Sequence, residues 1–141
     1  MTPEQIAQVQ QSFAKVAPMA DQAAALFYNR LFEIAPELRP LFRGDMADQG
    51  RKLMATLAVV VGALTRLEAI LPAASALAKR HVAYGVRAAH YRPVGAALLW
   101  TLERSLGPQW TPQLASAWIV AYTTLSDYMI GEAYGEVRLA G

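Results

Sequence analysis

The sequence predicts an all-α protein folded as one domain, and three observations carry that prediction. No stretch sustains a period-two alternation, and no Asn-Gly or Asp-Gly pair marks a hairpin. Apolar residues instead recur at spacings of three and four in one block after another. Prolines, glycines and capping residues stand between the blocks, where helices begin and end.

The elements follow in order. Thr2-Pro3-Glu4-Gln5 reads as a capping box with proline in the first helical position. Ile6, Val9, Phe13 and Val16 then share one face, and Pro18 closes that helix. A second helix is expected from about Asp21 to Ala35, with Leu26, Phe27, Arg30 and Leu31 across its faces. Pro36 and Pro40 turn "PELRPLF" into a short helical corner. Asp45 or Asp48 is the candidate cap of a third helix, running to about Leu64 with Leu53, Leu57, Val60, Val61 and Leu64 inward. Pro72 is expected to open a fourth helix, after a connection over 65–71, and Gly85 to stop it. Pro93 opens a fifth, through Leu98, Leu99, Leu102 and Leu106 to Gly107. Thr111-Pro112 starts the sixth, with Leu114, Trp118, Ala121, Leu125 and Met129 as its stripe; beyond about Tyr134 the periodicity weakens and the tail is expected to fray.

Composition narrows the function. The 141 residues suit one domain, and 55% hydrophobic against 17% charged residues excludes a disordered chain. With no cysteine, disulfides, thiolate metal sites and cysteine nucleophiles are excluded. The start "MTPEQIAQVQ" lacks the blocks of a secretory signal. The longest apolar run, "LMATLAVVVGAL", falls short of the roughly 20 residues a span needs. A cytoplasmic protein with no membrane partner is expected. A formal charge of +2 is too small to argue for nucleic acid. The cations are nonetheless bunched: Arg39, Arg43, Arg51 and Lys52 in one window, Lys79, Arg80, Arg87 and Arg92 in another that holds no acid. These are either solvated faces or a basic rim for an anionic ligand.

The chain has two histidines, His81 and His90, both within "AKRHVAYGVRAAHYRPVG". Gly85 separates them, so they cannot share a helix face and a two-histidine zinc site is not expected. There is no nucleophile elbow, phosphate loop or HExxH pattern. A lone helical histidine is ordinarily a surface or satisfied core residue. One imidazole does suffice for one task, the axial ligation of a haem iron.

The surrounding residues favour that task. "LFYNRLFEIAPELRPLF", "QGRKLM", "KRHVAYGVRAAHYRPVG" and "AWIVAY" resemble the bacterial single-domain globins related to the haem domain of flavohaemoglobins, in the subgroup typified by Hell's Gate globin. The likeness runs from about Gln5 to Tyr128. It implies a globin fold of about six to eight crossed helices enclosing haem b (iron protoporphyrin IX). It assigns His81 as proximal iron ligand and Phe42, six residues after Pro36, as the ring pressing on the porphyrin edge. Tyr28 and Gln49 take the distal positions, and Leu53 the apolar distal wall. Tyr91 falls behind the proximal histidine, and Val86 in the matched segment falls on the cofactor. Lys52 and Arg80 lie on the two helices that would enclose the propionates. His90 receives no role and reads as an exposed turn residue.

The implied function is reversible, high-affinity dioxygen binding, with carbon monoxide and nitric oxide as further ligands. A tyrosine hydroxyl and a glutamine amide donate hydrogen bonds to a ligand on which negative charge builds, and such bonds strengthen in a dry pocket. Nitric oxide dioxygenation is the enzymatic alternative; the chain is expected to need an external reductase for it, since no flavin or nicotinamide module follows. A sensor or interaction module, with or without haem, is the third. Three departures from the family pattern stand out. The position of a proximal glutamate falls on Ala133, with Glu132 one residue early, which weakens the expectation of peroxidase chemistry. The segment from Phe42 to Gln49 is about three residues short. Pro93 comes one residue late.

Overall fold

The computed structural model describes residues 1–42, 44–83 and 87–140. Among them every regular element is helical. Six α-helices follow in order: α1 Pro3–Val16, α2 Ala20–Ile34, α3 Met46–Gly62, α4 Leu67–Ala83, α5 Tyr91–Leu106 and α6 Pro112–Ala140. Single 3-10 turns at Ala17–Met19, Leu64–Arg66, Ala88–His90 and Gly107–Gln109 join them, with a longer one at Pro36–Leu41. None of the helices described is long and apolar enough to cross a membrane.

Local chemistry explains most boundaries. At Thr2 the capping box is closed on both sides: Gln5 N–H donates to the Thr2 hydroxyl at 3.1 Å, and Thr2 N–H donates to the Gln5 side-chain oxygen at 3.0 Å. Asp45, not Asp48, caps α3, accepting from Ala47 N–H at 3.0 Å. Asp48 instead pairs with Arg51 on the exposed side of the first turn. Pro93 falls inside α5, two residues after its start. That is tolerated because the first four N–H groups of a helix have no internal partner. Gly107 ends α5 at φ +56°, and the Thr111 hydroxyl accepts from Leu114 N–H to open α6.

Two expectations are corrected. Pro72 does not open α4: the turn Leu64–Arg66 feeds directly into a helix that begins at Leu67, and Pro72 sits within it. The stretch expected as a connection is therefore helical. Its ladder lacks the bond that residue 72 would have donated to the Glu68 carbonyl. The apolar face of α3 is also less deeply inserted than its pattern suggests. Val61 and, just beyond the helix, Leu64 are buried; Leu53, Leu57 and Val60 are half-buried, and Val59 is 62% exposed. The expected end of α4 at Gly85 lies outside the described residues.

The packing divides into two apolar clusters. α2 crosses both α5 and α3, and α1 lies along α6. Val9, Phe13, Val16, Leu31, Leu38, Leu102 and Trp118 fill the larger cluster between them. Trp118 is fixed there by its indole N–H, which donates to Ser12 Oγ at 2.9 Å, while Ser12 donates to the Val9 carbonyl. α4 packs chiefly on α6. That second cluster is small: Ala74, Ala78, Tyr91 and Met129 are buried, with Leu77, Leu125, Tyr128 and Ile130 at its edge. His81 rides on α4, while Leu53 and Gln49 ride on α3. The two helices thus belong to different clusters.

Candidate functional site

One half of the site is built where α2 meets α3. Gly50 lets the two helices approach: a Cβ added there would lie 2.8 Å from the Ala24 methyl. Tyr28 follows Ala24 by one turn and Gln49 precedes Gly50, so the crossing brings the Tyr28 hydroxyl to the Gln49 backbone carbonyl, to which it donates at 3.3 Å. Tyr28 is 7% exposed. Burial pushes its pKa up to about 12, so the hydroxyl keeps its proton, and its capacity to donate, throughout the neutral range. The Tyr28 ring packs edge-on to Phe42 at 5.3 Å and stacks on Phe32 at 6.1 Å. Phe42 also meets Phe32 edge-on at 5.5 Å, where the Pro36–Leu41 turn delivers it. Leu53 is half-buried against the same cluster. Tyr28, Phe42, Gln49 and Leu53 are therefore gathered on one side.

Gly50→Ala tests this crossing. Because the methyl would meet another methyl and not a flexible chain end, the helices must separate. Overpacking of this kind costs about 1–3 kcal/mol, outweighing the roughly 1 kcal/mol that alanine gains over glycine in a helix. A melting temperature lowered by several degrees is expected in a thermal scan.

The other half is built on α4 and the start of α5. His81 stands in the last turn of α4, half-buried. Its Nδ1 is buried and without a fully formed hydrogen bond, and the nearest acceptor is the Leu77 carbonyl one turn earlier. Burial lowers the His81 pKa below the ordinary imidazole value; the Leu77 carbonyl opposes this and the Arg80 charge adds to it. The ring is thus neutral at pH 7. A neutral imidazole has one nitrogen lone pair to offer a metal. Tyr91 stacks against it, centroids 6.4 Å apart and 23° between planes. The Tyr122 hydroxyl on α6 donates to the Tyr91 backbone carbonyl at 2.5 Å, and Gly95 leaves room for the Tyr122 ring.

The remaining sequence candidates are placed as follows. Lys52 and Arg80 are both exposed. His90 is half-buried, and its Nδ1 accepts from Arg87 N–H at 3.0 Å, tying the turn before α5. Glu132 is exposed and accepts from the Tyr128 hydroxyl at 3.3 Å. Val86, Arg43 and the Ala133 side chain lie outside the described residues. Sequence reasoning gave Tyr122 and Tyr128 no role, since neither stands in the α6 apolar stripe.

Among the described residues no group of three or more His, Asp or Glu is clustered to hold a metal by itself. A porphyrin-type cofactor would bring the other ligands of an ion held through His81. The residues fit such a group: a neutral imidazole on one cluster, an aromatic and hydroxyl-bearing wall on the other.

Comparison with known proteins agrees. A profile of the globin family matches residues 25–129. The flavohemoproteins of Bordetella parapertussis and Chromobacterium violaceum are 37% and 34% identical over 108 residues. Each match covers 74% of this chain and 27% of the relative, so the chain spans only a part of those proteins. Among solved structures, a bacterial globin from Campylobacter jejuni superposes with a TM-score of 0.84 at 25% identity, covering 97% of this chain and 99% of its own. An engineered carbene transferase, made from a protein of Rhodothermus marinus described as a nitric oxide dioxygenase, superposes with a TM-score of 0.85 at 27% identity, covering 100% and 99%. From the family match, the identity to the flavohemoproteins and the six crossed helices, the chain belongs to the globin family.

Proposed function

We propose that this globin carries haem b and binds dioxygen reversibly and tightly. The observation that carries the reading is the buried Tyr28 hydroxyl held at the Gln49 carbonyl on the head of α3. Haem b would supply an iron able to take a diatomic ligand. His81 would hold the iron through an imidazole nitrogen, with the Tyr91 ring stacked beside it. Phe42 would lie against the edge of the macrocycle, and Leu53 would keep water from the ligand side. Lys52 and Arg80 are the cations on α3 and α4 for the propionates, and Val86 is a further contact.

Tyr28 gives the preference for dioxygen. The hydroxyl donates to a backbone carbonyl in this structure and has only to rotate toward a ligand that gains negative charge. Turning costs the hydrogen bond to Gln49, which a charged acceptor outweighs, and the hydroxyl stays protonated. The Gln49 amide is the second donor, on the same helix end. Carbon monoxide gathers little such charge and gains less.

Tyr28→Phe tests this. A hydrogen bond to a charged acceptor is worth about 1.5 kcal/mol or more, so the dioxygen dissociation rate should rise about tenfold or more. Carbon monoxide release should change far less. An unchanged dioxygen rate removes Tyr28 from the distal side.

A second reading is nitric oxide dioxygenation with a separate reductase. What favours it is the identity to flavohemoproteins and the fold likeness to a protein described as a nitric oxide dioxygenase. Nitric oxide consumption under air, with and without an added flavin reductase, separates carrier from enzyme.

A further inference from the structure

The helix that bears His81 is weakly anchored by apolar burial. Among its described side chains only Ala74 and Ala78 are fully buried. Leu77 adds only a half-buried contact with the Met129 cluster, and side chains this small resist separation more than sliding. Pro72 weakens α4 further, because the missing N–H removes one rung of the ladder between its first turn and the rest. Something directional must set where α4 sits along α6.

The Tyr128 hydroxyl supplies that direction. From α6 it donates to the Leu71 carbonyl at 3.2 Å, the peptide immediately before Pro72. The same oxygen lies 3.3 Å from Glu132 Oε1, one turn further along α6. A phenol has one proton and donates to one acceptor at a time. Leu71 and Glu132 therefore compete for it. α6 holds the proximal side by two hydroxyls: Tyr122 on the Tyr91 carbonyl and Tyr128 on the Leu71 carbonyl. Six residues apart on one helix, they reach neighbours on different sides.

We infer that Tyr128 is a positioning residue for His81: by holding the Leu71 carbonyl it fixes the register of α4 on α6 and so the height and tilt of the imidazole ten residues on. The inference deepens the haem reading above and rests on His81 being the iron ligand. It concerns no contact between Tyr128 and the cofactor.

The test uses Tyr128→Phe and Glu132→Gln with two readouts. Amide hydrogen exchange measures the hold on α4 itself. In Tyr128→Phe the amides of residues 73–83 should exchange severalfold faster, with those of α1 and α2 unchanged. Glu132 is exposed, so Glu132→Gln should fold normally. Replacing the carboxylate by a weaker acceptor leaves the proton to Leu71, and the same amides should exchange more slowly. The second readout is the iron–histidine stretching band of the ferrous, haem-loaded protein. It should shift or broaden in Tyr128→Phe at full haem occupancy. Unchanged exchange in both variants, or faster exchange with an unmoved band, overturns the positioning role. If the wild-type chain takes up no haem, the reading of His81 fails separately, while exchange still reports whether Tyr128 holds α4.

Discussion

Replacing His81 by glycine should leave a folded chain that no longer retains haem. The purified variant is expected to be colourless, with no Soret band after loading and desalting, while its helical circular dichroism stays close to wild type. His81 is a half-buried imidazole whose pKa is lowered by burial, so the ring is neutral and offers a lone pair to a metal. Loss of a group that merely orients a ligand costs about 10–100-fold in metal affinity; loss of the ligand itself should cost more, at least about a hundredfold. The fold should survive because glycine in the last turn of α4 costs only about 1 kcal/mol. Free imidazole, added at millimolar concentration, should restore the band by filling the space left behind. Retention of haem by the unsupplemented variant would move the ligand elsewhere in the chain.

Trp118→Ala should have the largest effect on stability. Trp118 is 3% exposed in the larger cluster and tilts against Phe13 with centroids 6.4 Å apart. Its indole N–H ends on Ser12, whose own hydroxyl ends on Val9, so one side chain of α6 is fixed to α1 by a two-step relay. Truncation removes the ring, opens a cavity and ends the relay. Buried tryptophan to alanine costs about 3–5 kcal/mol, which for a chain of this length lowers the melting temperature by about 8–16 °C. Trp118→Phe keeps much of the volume and loses only the N–H, so about 1–2 kcal/mol is expected. Equal losses for the two variants would show that the hydrogen bond, and not the volume, dominates. Denaturant unfolding of both proteins checks the ratio.

What could be read from the sequence, and what could not, divides by range. Thr2 and Thr111 act on residues three positions away, so their capping roles follow from the pattern, which narrowed the cap of α3 to Asp45 or Asp48 and left the choice to the structure. The globin assignment was equally legible, since it rests on whole segments such as the one around His81. Pro72 was misread because proline is compatible with both a helix start and a helix interior. Contacts outside its own segment decide between them. The meeting of Tyr28 with Gln49 depends on how closely α2 and α3 cross, and that is set by Gly50 against Ala24. Tyr122 and Tyr128 were invisible for a different reason. Their partners are backbone carbonyls, which every residue possesses and no motif records.

The unequal size of the two apolar clusters has a consequence for how the cofactor exchanges. The larger cluster ties α1, α2, α3, α5 and the first half of α6 into one body, whereas α4 rests on a smaller set, Ala74, Ala78 and Leu77 against the Tyr91–Met129 cluster, with the Tyr128 phenol beside it. Opening free energies in a folded chain follow local burial, so α4 should swing away long before the larger body loosens. Haem would then enter and leave by a partial opening whose rate is set on the proximal side. Cofactor release and global unfolding become separate clocks, and substitutions in α4 or at Tyr128 should hasten the first without moving the second.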